Sequence, residues 1–227
     1  MASCWGGGVE NGNGVVGYAL KADIRHYFET VDHDVLLAIV SKRIRDDEVL
    51  WLIRTILANH KTQQPGKGMP LGNLTSQFFA NVYLAELDNF VKHELKAKYY
   101  LRYVDDFVIL DRNKRLLEEQ LERINRFLLD ELKLELHPEK SRIVPLRSGI
   151  TLLGFRVFYY FKLLKKSNQR RIEKRLLKFQ KKLENGTITK EEIRASMAGW
   201  DGYAKMANTY KLRKRMRERI ESILKPR

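Results

Sequence analysis

The chain has 227 residues, 44% hydrophobic and 31% charged, which allows one core of ordinary size plus a smaller appended unit and excludes a disordered or fibrous protein. No apolar run approaches the roughly 18 to 20 residues of a membrane span, and no basic segment followed by an apolar one opens the chain, so an unsecreted, cytoplasmic protein with no membrane partner is expected. The formal charge is +15; residues 162–227 hold 21 Lys and Arg against 7 Asp and Glu, a net +14, which points this part of the chain at a polyanion, nucleic acid first, because each neutralised phosphate releases counterions. A solvated, Lys-rich helical surface is the alternative. The single cysteine, Cys4, has no disulfide or zinc partner in the chain and fits a reducing compartment.

Taken in order, residues 1–16 are rich in Gly and Asn and predict a loose tail. Residues 17–24 read as a buried strand ending near Asp23, followed by a helix start capped by Thr30 or Asp32. Apolar spacing over 34–59 predicts two helices; Pro and Gly make 63–72 a loop, and 74–95 has a long helical pattern. Aromatic and β-branched residues over 99–111 predict a strand pair with Asp105 and Asp106 at its turn. A helix over 114–131, a strand over 133–137 and a hairpin over 151–160 complete this part. Residues 167–184 form an amphipathic helix, Thr189 and Glu192 a capping box for a second, and 208–224 a third. The expected fold is α+β: a tail over 1–16, an antiparallel sheet backed by helices over 17–161, and a basic three-helix bundle over 162–227.

Three acids stand out. Asp23 ends one strand, and Asp105 and Asp106 lie between two others; as neighbours in one antiparallel sheet their carboxylates would converge on a point suited to Mg²⁺. Two such ions can activate a 3′-hydroxyl and hold leaving pyrophosphate. The alternative is that each aspartate is a turn residue, although adjacent like charges among apolar neighbours cost stability unless a cation offsets them. His26, His33, His60, His93 and His137 lack the paired spacing of a zinc site and read as structural or surface residues.

Five segments together resemble the reverse transcriptases. Lys21-Ala22-Asp23-Ile24-Arg25-His26-Tyr27-Phe28, Met69-Pro70-Leu71-Gly72-Asn73-Leu74-Thr75-Ser76-Gln77 and Arg102-Tyr103-Val104-Asp105-Asp106 are similar to motifs A, B and C. His137-Pro138-Glu139-Lys140-Ser141 is similar to motif D, and Leu152-Leu153-Gly154-Phe155-Arg156 to the primer grip. The segment from Gly72 to Gln77, with Leu71 before it, most resembles the enzymes of diversity-generating retroelements and their group II intron-like relatives; group II intron enzymes usually have Gln at the position of Leu71 and Pro at that of Gln77.

The resemblance implies a polymerase palm followed by a helical thumb, extending a DNA primer on an RNA template. It implies two Mg²⁺ ions, with Mn²⁺ as a substitute, held mainly by Asp23 and Asp105, with Asp106 supporting and the Ile24 carbonyl completing a shell. Phe28 would lie under the incoming sugar and exclude a 2′-hydroxyl, with a core aromatic as the alternative for it and for its neighbour Tyr27. Pro70, Leu71, Gly72 and Gln77 would border the nascent base pair. Leu71 in place of Gln implies looser, error-prone copying. Lys140 would protonate leaving pyrophosphate, with a surface lysine as the alternative. Leu153, Gly154 and Phe155 would bear on the primer end, or form a buried hairpin. Lys165, Lys166, Arg170, Arg171, Lys174, Lys178, Lys181 and Lys182 would grip phosphates from the thumb. Implied partners are template RNA, DNA primer, dNTPs and a small basic accessory protein. Family members carry a fingers region before motif A; the glycine-rich stretch before Gly17 implies a fragment or remnant, or fingers supplied by another polypeptide. A non-catalytic nucleic-acid-binding remnant is the competing reading, and an RNA-dependent RNA polymerase or nucleotide cyclase on a similar palm a third.

Overall fold

The structure is a computed structural model that describes residues 9–10, 14–59, 64–70 and 72–225. Cys4, His60 and Leu71 lie outside these. The chain divides into two compact units between Arg147 and Ser148. The expected boundary was 161/162; the strands after Ser148 group instead with the basic helices, which bond to the turn at Leu153 and Gly154.

The first unit is built on a four-stranded antiparallel sheet, in the order β4 (Tyr99–Tyr103), β5 (Asp106–Asp111), β3 (Tyr18–Asp23) and β6 (Arg142–Pro145). Its centre is β3 (Tyr18–Asp23), where Ala19, Leu20 and Ala22 are fully buried, as a strand flanked on both edges requires. It pairs with β5 (Asp106–Asp111) from Tyr18 opposite Asp111 to Asp23 opposite Asp106. On its other edge runs β6 (Arg142–Pro145), while β4 (Tyr99–Tyr103) closes the far side of β5. The strand expected over 133–137 is reduced to a single bridge between Ile24 and Leu136. Lys133, at φ +51, turns the chain out of the preceding helix, and the sheet edge goes to the unforeseen β6. Inside the stretch expected to be a loose tail, two short strands pair antiparallel, β1 (Val9–Glu10) and β2 (Gly14–Val15); Val9 stands opposite Val15 there, and valine favours extended backbone.

Among the described residues five α-helices belong to this unit. A short turn, α1 (Tyr27–Thr30), precedes α2 (His33–Ser41) and α3 (Asp47–Ala58). Asp32 and Asp46 cap the latter two by accepting backbone N–H bonds, the arrangement that satisfies a helix's free N-terminal donors. The long pattern from 74 divides into α4 (Leu74–Asn89) and a π-helical turn, Phe90–Glu94, and α5 (Lys114–Glu131) follows the sheet hairpin. One apolar cluster joins all of them to β3 and β5, with Tyr83, Phe107, Leu84 and Ile109 fully enclosed.

The second unit begins with a three-stranded antiparallel sheet, β7 (Ile150–Leu152), β8 (Phe155–Val157) and β9 (Lys162–Leu164); the expected hairpin thus gains a third strand. Three helices follow, α6 (Lys166–Glu184), α7 (Lys190–Lys205) and α8 (Tyr210–Leu224). Their apolar faces meet in a core of Ile172, Leu176, Phe179, Ile193, Met197, Met216, Ile220 and Leu224. The capping box of α7 forms as its spacing predicts, Thr189 with Glu192. Among the described residues no helix is long and apolar enough to cross a membrane.

Candidate active site

Register brings the acids together. Asp23 and Asp106 are Cα partners across the β3–β5 pair, and Tyr103 stands opposite Asp106 on β4, so Val104 and Asp105 make the turn and Asp106 opens β5. The Ile24 N–H donates to the Asp105 carbonyl at 3.3 Å, tying that turn to the end of β3. Two lysines meet the carboxylates. Lys140 Nζ lies 3.0 Å from Asp23 Oδ1, and Lys21 Nζ lies 3.2 Å from Asp106 Oδ1. The second contact is a Coulombic pairing: among the described residues Asp106 Oδ1 has no hydrogen-bond partner.

Burial pushes the Asp105 carboxyl above the usual carboxylate range; its own backbone N–H acts against this, the charges of Asp23 and Asp106 add to it, and Lys140 opposes it. Asp23 is only 9% exposed. Among the described residues no three His, Cys, Asp or Glu side chains form a ready-made metal cage. Mg²⁺ asks for less: one or two carboxylates, with water and substrate phosphates filling its octahedron. Partly desolvated carboxylates that repel one another fit such a donor set, since a cation relieves that repulsion. The bonds beside the Ile24–Leu136 bridge run from Arg25 N–H to Glu135 O and from His137 N–H to Asp23 O, and neither engages the Ile24 carbonyl.

The loop before α4 is pinned to the segment after Asp23. The N–H groups of Gly68 and Met69 donate to the carbonyls of Val31 and Phe28 at 2.8 and 2.7 Å, and His33 Nε2 meets the Gly68 carbonyl at 2.7 Å. Pro70 therefore lies next in chain to a residue bonded to Phe28. Gly72 adopts φ +87, a conformation open to glycine at no steric cost, and Gln77 is exposed. Of the aromatic neighbours, Tyr27 belongs to the core: it is 2% exposed and its hydroxyl donates to the Ala80 carbonyl at 2.6 Å. Phe28 keeps partial exposure and packs edge-on against it.

Sequence reasoning missed the group that holds the acidic turn. Arg102 Nε donates to Asp88 Oδ1 of α4 at 2.7 Å and its Nη2 donates to Asp88 Oδ2. Its Nη1 donates to the Val104 carbonyl at 2.9 Å, and the Tyr100 hydroxyl donates to Asp88 at 2.7 Å. Val104 sits at φ +56, an unusual and strained conformation for a β-branched residue. A planar guanidinium that bridges Asp88, the Val104 carbonyl and, at 3.3 Å, Asn81 Oδ1 is suited to holding it. The only hint in the sequence is an arginine two residues before the turn; nothing marks Asp88.

In the second unit Leu153 and Gly154, at φ +48 and +82, form the β7–β8 turn. Asn168 of α6 donates to the Gly154 carbonyl at 3.2 Å, and Tyr203 of α7 donates to the Leu153 carbonyl at 3.1 Å. A Cβ on Gly154 would lie 2.2 Å from Tyr203 Oη. These bonds are why the hairpin groups with the helices. Leu153 is exposed at the tip, whereas Phe155 is buried against Tyr203, ring centroids 4.8 Å apart. Lys165, Lys166, Arg170, Arg171, Lys174, Lys178, Lys181 and Lys182 are all exposed, and Arg170, Arg171, Lys174 and Lys178 line one shallow groove along α6.

A family profile described as reverse transcriptase (RNA-dependent DNA polymerase) matches residues 10–157. Protein YkfC of Escherichia coli K12 is 25% identical over 177 residues, 62% of this chain and 46% of that protein. The group II intron-encoded protein LtrA of Lactococcus lactis subsp. cremoris is 33% identical over 85 residues, 35% of this chain and 14% of that protein. The chain spans less than half the length of the curated relatives it matches. Among solved structures, apo telomerase from Candida tropicalis aligns over 63% of this chain and 32% of its own, with a TM-score of 0.52 at 16% identity. Telomerase from Candida albicans in complex with a fragment of telomeric RNA aligns over 66% of this chain and 32% of its own, at 0.51 and 13%. At such identities these likenesses establish the polymerase palm and thumb fold and nothing finer.

Proposed function

The chain belongs to the reverse transcriptase family, and we propose on that premise that it extends a DNA primer along an RNA template by two-metal nucleotidyl transfer. The observation that carries this reading is the strand register that sets Asp23 opposite Asp106 with Asp105 bonded through its carbonyl to Ile24. Asp23 and Asp105 would hold the Mg²⁺ ions, or Mn²⁺ in their place, with Asp106 and the Ile24 carbonyl in support. The bound ions supply Lewis acidity toward the primer hydroxyl and the triphosphate. Lys140, 3.0 Å from Asp23 and half exposed, donates a proton to leaving pyrophosphate as its charge stabilises the developing anion. Phe28 lies under the deoxyribose and excludes a 2′-hydroxyl; Pro70 and Gly72 let backbone approach the nascent pair, and Gln77 borders it. The Leu153 tip bears on the primer end, and the cations of α6 take phosphates of the primer–template duplex. A small basic accessory protein belongs to the same reading.

Extension of a DNA primer on an RNA template with dNTPs and Mg²⁺ tests it. Activity that Asp105→Ala abolishes is expected; binding of primer–template without extension would favour the non-catalytic remnant. Leu71, apolar where group II intron enzymes carry Gln, supports error-prone copying at template adenines as in retroelement mutagenesis. Equal, low misincorporation opposite all four template bases would overturn that part alone.

A further inference from the structure

The turn between β8 and β9 lies outside the residues assigned to the proposed polymerase site. It carries four consecutive aromatic residues, Phe158, Tyr159, Tyr160 and Phe161. Its base is rigid. The Phe158 N–H donates to the Phe161 carbonyl at 2.8 Å, closing the turn, and the two phenyl rings stack with centroids 4.6 Å apart and planes 23° from parallel. Phe158 also lies against Gly149, where an added Cβ would come within 2.9 Å of the ring. Cations hold the flanks: the Arg156 guanidinium is 5.2 Å from the Phe158 ring centre, and Lys162 Nζ is 5.5 Å from that of Phe155. Its tip faces water. Tyr160 is 73% exposed and Phe161 43%, with the Tyr159 ring edge-on to Tyr160 at 4.6 Å.

Large aromatic surface held out in solvent on a rigid turn contributes nothing to the core of either unit, and such patches mark contact sites. The surrounding charge selects the partner. No Asp or Glu occurs between Glu139 and Glu173, while the cations Arg156 and Lys162 flank the turn. An anionic partner with flat, apolar faces satisfies both features. Unpaired nucleotides have both, whereas a duplex hides its base faces within the stack.

We propose that the Phe158–Phe161 turn is a stacking platform for unpaired nucleotides of a single-stranded nucleic acid, with Tyr160 and Phe161 taking base faces and Arg156 and Lys162 the adjoining phosphates. The site uses no acid, metal ion or nucleoside triphosphate, so it goes beyond the polymerase reading and survives that reading's failure. The test is fluorescence anisotropy of the full chain, without Mg²⁺ or dNTPs, against labelled 12-nucleotide oligo(dT) and oligo(U), an abasic strand of equal length, and a 12-base-pair duplex. Tyr160→Ser is expected to weaken oligo(dT) and oligo(U) binding by about 10-fold or more, to leave the salt dependence unchanged because no charge is removed, and to leave the abasic strand and duplex unaffected. Tyr160→Phe, which keeps the ring, should retain wild-type affinity, and unaltered circular dichroism in both variants establishes that the fold survives. Equal losses for the abasic strand would overturn the proposal. So would unchanged oligonucleotide binding accompanied by loss of binding to phosphatidylcholine–phosphatidylglycerol vesicles or of self-association in sedimentation.

Discussion

At the β3–β5 end of the first unit, Asp23, Asp105 and Asp106 are fixed by strand register, by a turn at positive φ and by a guanidinium anchored on α4. Along α6 of the second unit, lysines and arginines stand exposed, and only the opposite, apolar face of the helix is specified by packing. The difference follows from the two tasks proposed for these regions. Metal ligands must be positioned to a fraction of an ångström, so side chains that touch no substrate matter greatly at the acid site. Phosphate-binding cations position a polyanion without reading it, so a helix that carries many of them tolerates the removal of any one.

The sharpest way to break this contrast is to disturb the acid site from a distance. Arg102→Gln, which releases the Val104 carbonyl and leaves Asp88 without its cation, should lower primer extension about 100-fold, the scale of a 1 Å misplacement. It should also raise the Mg²⁺ concentration needed for half-maximal rate, a shift that simple destabilisation would not produce. An unchanged Mg²⁺ dependence in a folded Arg102→Gln protein would remove Arg102 from the positioning role. In the second unit the corresponding rigid point is Gly154. Gly154→Ala imposes a side chain at φ +82 and drives a Cβ into Tyr203, so a loss of about 1 to 3 kcal/mol from backbone strain alone is expected, measured as a shift in the denaturant midpoint.

Smaller effects are expected from the helix surface. Replacing Lys174, Lys178 and Lys181 with Gln should weaken primer–template binding equally for all sequences and reduce the slope of log affinity against log salt by about one for each phosphate no longer neutralised. A change in sequence preference would contradict the contrast. The smallest expected effect concerns pH. Because the Asp105 carboxyl titrates above its ordinary range in the folded chain, folding takes up a proton between the unfolded and folded pKa values. Stability of the metal-free chain therefore falls as pH rises through the interval just above about 4 and stays lowered at neutral pH. Asp105→Asn should flatten that slope in denaturant titrations, and added Mg²⁺ should stabilise the parent chain more than the variant.

The α+β class, both lysine-rich and acidic segments, and the bounds of most helices were legible because they rest on local signals. Apolar spacing marked α5 and α6, Thr189 announced its helix, the cap expected at Thr30 or Asp32 formed at Asp32, and aromatic and β-branched residues around Asp105 marked the hairpin. Where a strand depended on a distant edge, local reading failed. Leu134 and Leu136 suit a strand, yet the edge of β3 was taken by Arg142–Pro145, a four-residue segment ending in proline that is too short to signal itself. Tyr27 and Phe28 are alike in sequence and differ in burial, because Tyr27 is enclosed where its hydroxyl bonds to Ala80 of α4 while Phe28 keeps partial exposure.

What the amino-acid order determined unaided was the inventory: which carboxylates, which cations and which apolar faces exist, and the family to which their motifs belong. Only the tertiary structure decided which of them meet. The Arg102–Asp88 bridge joins a strand to a helix, the Asn168 and Tyr203 bonds tie a hairpin to two helices, and the aromatic turn after β8 stays in water because no other part of its unit covers Tyr160. Hydrogen bonds and burial depend on distances between side chains, and those exist only once the backbone has folded.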